Sequence, residues 1–222
     1  MKFDIITIFP EIFDSYFSES IVGRAQKKGL VEILIHNLRD YTKDKHKTVD
    51  DTPYGGGAGM VLKVEPIYRC VEKIKSKANS KSPRAILFSA KGKRYTQADA
   101  RRLSQYDNLI LICGRYEGVD ERVADHIVDE ELSIGDYVLT GGEIPAMAVV
   151  DSVTRLLPGA VGNEESIVTE SFREENYLEY PQYTKPEEFQ NWKVPEILLS
   201  GDHKKIEKWR SEKSKNDNKK PV

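Results

Sequence analysis

Leu109-Ile110-Leu111-Ile112-Cys113-Gly114-Arg115-Tyr116-Glu117-Gly118 is the stretch on which the fold turns. Its apolar run is too short for a helix and is closed by a polar loop bounded by glycines. A strand with one wet face alternates apolar and polar residues; an unbroken run suits a strand covered on both faces, as in parallel sheets. Ala85-Ile86-Leu87-Phe88, ending in Ser89-Ala90-Lys91-Gly92, repeats the pattern. Between the two runs the spacing predicts a helix over 97–104, with Thr96 as its cap.

Working outward, residues 3–9 read as a buried strand stopped by Pro10, 11–25 as an amphipathic helix ended by Gly29, and 30–38 as a second strand. Pro66 opens a further helix that frays over 76–83. Downstream of the central run, a strand is expected near 126–129 and a helix over 143–157 that stops at Pro158-Gly159. Strands alternating with helices predict an α/β fold, a parallel sheet with helices on both faces. Residues 1–160 form the main domain in this reading, 161–185 a linker without apolar periodicity, and 186–222 a small helical region too short to fold alone.

The chain has 222 residues, 39% hydrophobic and 32% charged, the composition of a globular protein with room for a substantial core. No apolar stretch is long enough to span a membrane, and Asp4 interrupts the N-terminal apolar segment where a signal peptide would continue. Cys70 and Cys113 sit in apolar surroundings, as buried free thiols of a reducing cytoplasm do, and no Cys/His cluster has zinc spacing. With a net charge of −2 the whole chain does not announce a nucleic-acid binder. Residues 204–220 are nevertheless basic, either to meet phosphates or simply as a solvated terminus.

Polar and small residues collect after the strands, at 89–92, 114–118 and 134–143, and ligands of open α/β sheets bind outside the carboxyl ends of strands. Ser133-Ile134-Gly135-Asp136-Tyr137-Val138-Leu139-Thr140-Gly141-Gly142-Glu143 is by itself either a Gly-Gly turn or a ligand loop. The long polar segment 39–59 carries His46 and Asp50 and runs into Pro53-Tyr54-Gly55-Gly56-Gly57-Ala58-Gly59-Met60. That glycine run fits neither a Walker A loop nor a dinucleotide fingerprint.

Lys45 to Asp51, Pro53 to Met60, Gly114-Arg115-Tyr116-Glu117-Gly118-Val119-Asp120-Glu121-Arg122 and Ser133 to Pro145 together resemble the bacterial tRNA (guanine-N1)-methyltransferase family TrmD, and the likeness extends from Pro10-Glu11 to Lys208-Trp209-Arg210. The resemblance implies a SPOUT-type α/β fold with a deep trefoil knot, which the general rule against threaded chains would not suggest. It also implies a cytoplasmic homodimer with its active site at the subunit interface. The implied activity is methyl transfer from S-adenosylmethionine to N1 of the guanosine 3′ of the tRNA anticodon.

Carried over residue by residue, the resemblance places the methyl donor on Leu87, Phe88, Ser89, Gly114, Tyr116, Glu117, Ile134, Gly135, Tyr137, Leu139, Gly141, Gly142 and Pro145. Guanine N1 must lose a proton to attack, and the family's base, an aspartate, corresponds here to Glu170 in Thr169-Glu170-Ser171-Phe172. Arg155 matches an arginine that stabilises developing charge, and Arg24, His46 and Asp50 match contacts to the RNA. The family is also helped by Mg²⁺; with no dedicated ligand cluster in the sequence, substrate and a carboxylate would hold the ion together. Glu170 in place of the aspartate is a departure from the family, and two further ones matter less, Ala90-Lys91 where a Pro-Gln pair is frequent and a short C-terminus. Methylation of a ribose 2′-OH and RNA binding without catalysis are the competing readings.

Overall fold

The computed structural model describes residues 1–77, 83–162, 170–174 and 177–215. The chain divides into two compact units, Met1–Gly162 and Asn163–Val222. Residues 163–169 and 175–176 of the expected linker, 78–82 of the expected fraying segment and 216–222 of the basic tail lie outside the described residues.

The first unit runs β1 (Lys2–Thr7), a 3-10 turn (Pro10–Phe13), α1 (Asp14–Phe17), α2 (Ser20–Lys27), β2 (Glu32–Asn37), a 3-10 turn (Leu38–Tyr41), β3 (Asp50–Asp51), β4 (Val61–Leu62), α3 (Val64–Lys77), β5 (Arg84–Arg94), α4 (Gln97–Leu103), β6 (Asn108–Cys113), α5 (Arg122–His126), β7 (Glu130–Ser133) and α6 (Glu143–Thr154). Five strands form one sheet in the order β2-β1-β6-β5-β7. Every pairing in it is parallel, with Phe3 opposite Leu109 and Leu87 opposite Ile112. Strand residues alternate between two cores. Phe3, Ile5, Ile86, Phe88, Leu109 and Leu111 pack with Phe13, Phe17 and Val22, with Ala100 and Leu103, and with Val149, Val150 and Val153 of α6. Ile6, Leu87, Ile110 and Ile112 turn the other way, onto Ile67, Cys70, Val71 and Ile74 of α3 and Val123 of α5. Burial on both faces is the physical reason that the strands read as unbroken apolar runs.

The expected helix over 11–25 is broken into the Pro10–Phe13 turn, α1 and α2. The Ser18 hydroxyl donates to the Ser15 carbonyl at 3.2 Å, and Ser20 sits in the left-handed region with φ 51°, so the chain leaves the helical path between them. Instead of the strand expected at 126–129, α5 occupies the first of those residues and β7 begins at Glu130. The Asp120 carboxylate accepts the Arg122 N–H at 3.0 Å and starts that helix, while the Asp129 carboxylate accepts the Ala85 N–H at 2.7 Å and delivers the chain to the sheet edge. β5 does not stop at Phe88 but continues to Arg94, with a register irregularity between Phe88 and Lys93. Gly92 permits this, since a Cβ there would stand 2.6 Å from the Leu132 backbone nitrogen.

Segment 39–59 is ordered by local bonds. The Asp44 carboxylate accepts the Thr48 N–H at 3.0 Å and its hydroxyl at 2.9 Å, and β3 pairs with β4 in antiparallel register. The Leu62 N–H then donates to the Gly118 carbonyl at 3.0 Å, and the Glu117 N–H to the Met60 carbonyl at 3.0 Å, which ties the glycine run to the loop after β6.

In the second unit, where the sequence suggests only helices, a two-stranded hairpin of β8 (Glu188–Phe189) and β9 (Trp192–Lys193) precedes α7 (Glu196–Leu199) and α8 (His203–Lys215). Trp209 of α8 meets Tyr183 at 6.4 Å between ring centroids, and the Arg210 guanidinium covers the Tyr180 ring at 4.9 Å.

Thr96 caps α4 as its residue type suggests, through a capping box with Asp99. The buried Asp99 carboxylate also accepts Lys93 Nζ at 2.6 Å and an Arg102 nitrogen at 3.2 Å. Burial pushes this carboxyl up, but the bonds from Lys93, Thr96 and Arg102 outweigh it and hold the group below the ordinary carboxylate range. Glu130, between Arg84 and Arg102, is lowered against burial in the same way. A depressed folded-state pKa stabilises above the unfolded value of about 4, and that contribution is lost as pH falls through the folded value. Thermal melts should therefore show stability declining below about pH 4, with a shallower decline in Asp99→Asn. Asp99→Ala, which removes the capping box and leaves Lys93 and Arg102 to water, should cost about 1 kcal/mol in urea unfolding.

Candidate functional site

The parallel arrangement sends the carboxyl ends of β5, β6 and β7 to the same side of the sheet, and a cleft of about 370 Å³ opens there. Leu87, Phe88 and Ser89 enter it from β5, Gly114, Tyr116 and Glu117 from the loop after β6, and Ile134, Gly135, Tyr137, Leu139, Gly141, Gly142 and Pro145 from the loop after β7 and the start of α6. Every residue expected to touch the donor thus lines one cavity. Leu87, Ile134 and Leu139 provide apolar wall, and the lining carries the carboxylates of Glu117, Glu121 and Glu131 against the cations of Lys91 and Arg115.

Backbone contacts hold the loops in this arrangement. The Gly142 N–H donates to the Gly114 carbonyl at 2.9 Å, and Arg115 and Gly141 form an isolated antiparallel bridge. A Cβ on Gly142 would lie 2.6 Å from the Cys113 Cα, so only glycine lets these segments cross so closely. The Ser133 hydroxyl donates to the Gly135 carbonyl at 2.9 Å and closes the start of the last loop. Tyr116 stands in the left-handed region, φ 62°, at the corner that the Gly118 N–H closes onto the Arg115 carbonyl at 3.1 Å.

Beneath the loops lies a buried ion pair that the sequence reading did not single out. Arg115 Nε stands 2.9 Å from Glu143 Oε2, close enough for strong attraction but without hydrogen-bond alignment. Glu143 is only 2% exposed. Its other oxygen accepts the Thr7 hydroxyl at 2.8 Å, and Thr7 Oγ1 in turn accepts the Phe9 N–H at 3.0 Å. Arg115 completes its surroundings with the Thr140 carbonyl at 3.2 Å and the Phe9 ring at 4.7 Å. One carboxylate in the first turn of α6 therefore joins the ends of β1 and β6 to the loop after β7. The sequence signal for it is a single acid in the first turn of a largely apolar helix, where the helix dipole favours negative charge. Burial and the Glu143 charge both raise the thiol of neighbouring Cys113, which keeps it protonated and unreactive.

Lys91 was noted as a sequence departure and proves to line the cleft, paired at 2.7 Å with Glu121, a lining residue absent from the expected set. Of the other expected site residues of the first unit, none lines the cleft. Arg24 is exposed on α2, His46 is exposed in the 39–59 segment, and Asp50 is half-buried on β3. Arg155 is the half-buried residue that ends α6. Its neighbour Asp151, four residues earlier, accepts the Tyr16 hydroxyl at 2.6 Å, which raises that phenol to about 12. Glu170 belongs to the second unit, half-buried in a turn where the Phe172 N–H meets the Tyr177 carbonyl at 2.6 Å and the Ser171 hydroxyl accepts the Glu179 N–H at 2.9 Å. Among the described residues no group of three or more His, Cys, Asp or Glu is placed to hold a metal, and no helix is long and apolar enough to cross a membrane.

Residues 1–221 match the family model described as tRNA (Guanine-1)-methyltransferase TrmD. A tRNA (guanine-N(1)-)-methyltransferase of Clostridioides difficile is 54% identical over 214 residues, 96% of this chain and 92% of the relative. A relative of the same name from Dictyoglomus turgidum is 56% identical over 210 residues, 95% of this chain and 83% of its own. Among solved structures, a tRNA (m1G37) methyltransferase from Aquifex aeolicus superimposes with a TM-score of 0.78 at 44% identity, covering 94% of this chain and 87% of that one.

Removing one member of a buried pair strands the other charge. Arg115→Met should lower stability by about 3 kcal/mol in urea unfolding. Adding Glu143→Gln should recover part of that loss, giving a double-mutant coupling of about 1 kcal/mol or more.

Proposed function

Because the chain belongs to the TrmD family of tRNA (guanine-N1)-methyltransferases, we propose that it transfers a methyl group from S-adenosylmethionine to N1 of the guanosine immediately 3′ of the tRNA anticodon, position 37. The observation that carries this reading is the convergence of the irregular middle of β5 and the loops after β6 and β7 on one cleft, with the whole expected donor set in its lining. The lining suits the donor chemically. Backbone groups of a Gly-rich loop can match the donors and acceptors of an adenine, the apolar wall suits its ring, and the carboxylates of Glu117 and Glu131 complement a cationic sulfonium and ammonium.

S-adenosylmethionine, when bound, supplies an electrophilic methyl on a leaving group that departs as a neutral thioether. The protein's part is orientation and proton management. Guanine N1 carries a proton at neutral pH, and the Glu170 carboxylate is assigned to accept it as the N1–C bond forms and the S–C bond breaks. The Arg155 guanidinium is assigned to the charge that builds on O6 during that transfer. Arg24, His46 and Asp50 are assigned to the RNA, outside the donor cleft.

The proposal includes a trefoil knot in residues 1–160, supported by the close crossing of Gly142 over Cys113 and Gly114. It also includes a homodimer with the active site at the interface. Phe9, Ile12, Tyr16 and Ile144, each more than 40% exposed around a 3-10 turn that packs on α6, are an apolar face suited to a second copy. Residues 161–185 serve as the linker and 186–222 as the tRNA-binding region. A cytoplasmic location agrees with two buried free cysteines.

Incubation with labelled S-adenosylmethionine and tRNA transcripts should yield N1-methylguanosine only when guanosine follows the anticodon. Methylation at a ribose, or binding without transfer, would contradict the proposal. Glu170→Gln should slow transfer by about 100-fold or more with donor affinity unchanged, the usual scale of general-base catalysis. Wild-type turnover in that variant would remove Glu170 from the mechanism.

A further inference from the structure

The β8–β9 hairpin displays an aromatic pair without a packing explanation. Gln190 and Asn191, with φ 49° and 66°, make the tight two-residue turn that sets Phe189 opposite Trp192 in the ladder. Their rings meet at 5.9 Å between centroids, tilted by 60°. Phe189 is 56% exposed and Trp192 70%, the highest value among the large apolar side chains of the described residues in this unit. By contrast, Trp209 and Tyr180 are engaged by Tyr183 and Arg210. Exposed aromatic surface of this kind marks an interaction site. Two side chains on a hairpin of this size are too little for a stable protein interface, which buries on the order of 1,200 Å² or more. They do suffice for a base, since every nucleobase has a π-face that stacks on an aromatic ring.

The surrounding charge suits the same partner. Val194 and Pro195 lead from the hairpin into α7, which packs on α8, and α8 carries Lys204, Lys205, Lys208, Arg210 and Lys213 against Glu207 and Glu212. A basic helix and an aromatic platform within one small unit are the two elements that hold single-stranded RNA.

We propose that Phe189 and Trp192 form a stacking platform for an unpaired base of the tRNA substrate, with the cations of α8 meeting the adjoining phosphates. The inference rests on the reading of the chain as a tRNA methyltransferase. It adds an RNA contact remote in sequence from Arg24, His46 and Asp50.

The test is tRNA affinity of the full chain, with S-adenosylhomocysteine present, for wild type, Trp192→Ala and Trp192→Tyr. Trp192→Ala should bind about tenfold more weakly and Trp192→Tyr should retain most of the affinity, while both keep wild-type affinity for S-adenosylhomocysteine. In a Trp209→Phe background, which leaves Trp192 as the single tryptophan, tRNA should quench the emission. Unchanged affinity in Trp192→Ala, with a wild type that binds and methylates tRNA, would overturn the platform and leave the functional reading intact. Conversion of the dimer to monomer by Trp192→Ala in sedimentation would assign the pair to a protein interface and overturn it too. Loss of S-adenosylhomocysteine affinity in both variants would assign Trp192 to packing, with the same result. A wild type that neither binds nor methylates tRNA would remove both readings together.

Discussion

A carboxylate held out of water between a cation and a hydroxyl is the constraint on which the cleft at the sheet end depends. Glu143 faces Arg115 at 2.9 Å and Thr7 at 2.8 Å, and through them adds a side-chain link between the end of β1, the loop after β6 and the start of α6, beside the β1–β6 pairing and the Gly142–Gly114 backbone bond. A buried pair of this sort is weak evidence for net stability, because desolvation offsets much of the attraction. Its effect is on arrangement, since any slip that separates the partners leaves a charge stranded. The crossing of Gly142 over Cys113 works the same way by steric means, admitting one backbone path and no side chain.

These constraints separate two tasks. The cleft proposed for the methyl donor is built from β5 and the loops after β6 and β7 of the first unit, over a sheet with core on both faces. The residue assigned to the proton lies in the second unit, in a turn held by backbone bonds around Ser171 and Phe172. Such a division suits a reaction in which the methyl donor must be oriented closely while a large RNA enters and leaves.

Much of this was legible in the chain because double burial writes itself as unbroken apolar strands, and Leu109 to Cys113 sits where that pattern puts it. The loops after those strands were also readable as one site, as ligand chemistry collects at strand ends. Less legible was what depends on distant partners. The break at Ser18 and Ser20 follows from side-chain and backbone alternatives that a helical apolar spacing does not record. The continuation of β5 past Phe88 needs the close approach of Leu132 to Gly92. Glu143 looked like an ordinary first-turn acid, since nothing local in sequence reveals that Arg115 and Thr7 converge on it. The hairpin at Gln190-Asn191 lacked the usual Asn-Gly signal and was hidden inside a segment read as helical.

The central claim is that residues 87–91, 114–118 and 134–142 together hold the methyl donor. Hydrogen–deuterium exchange of the full chain with and without S-adenosylhomocysteine addresses it most directly. Slowed exchange in all three segments, at concentrations that track saturable binding, is the predicted result. Saturable binding that leaves these segments unchanged and protects another part of the chain would contradict the account.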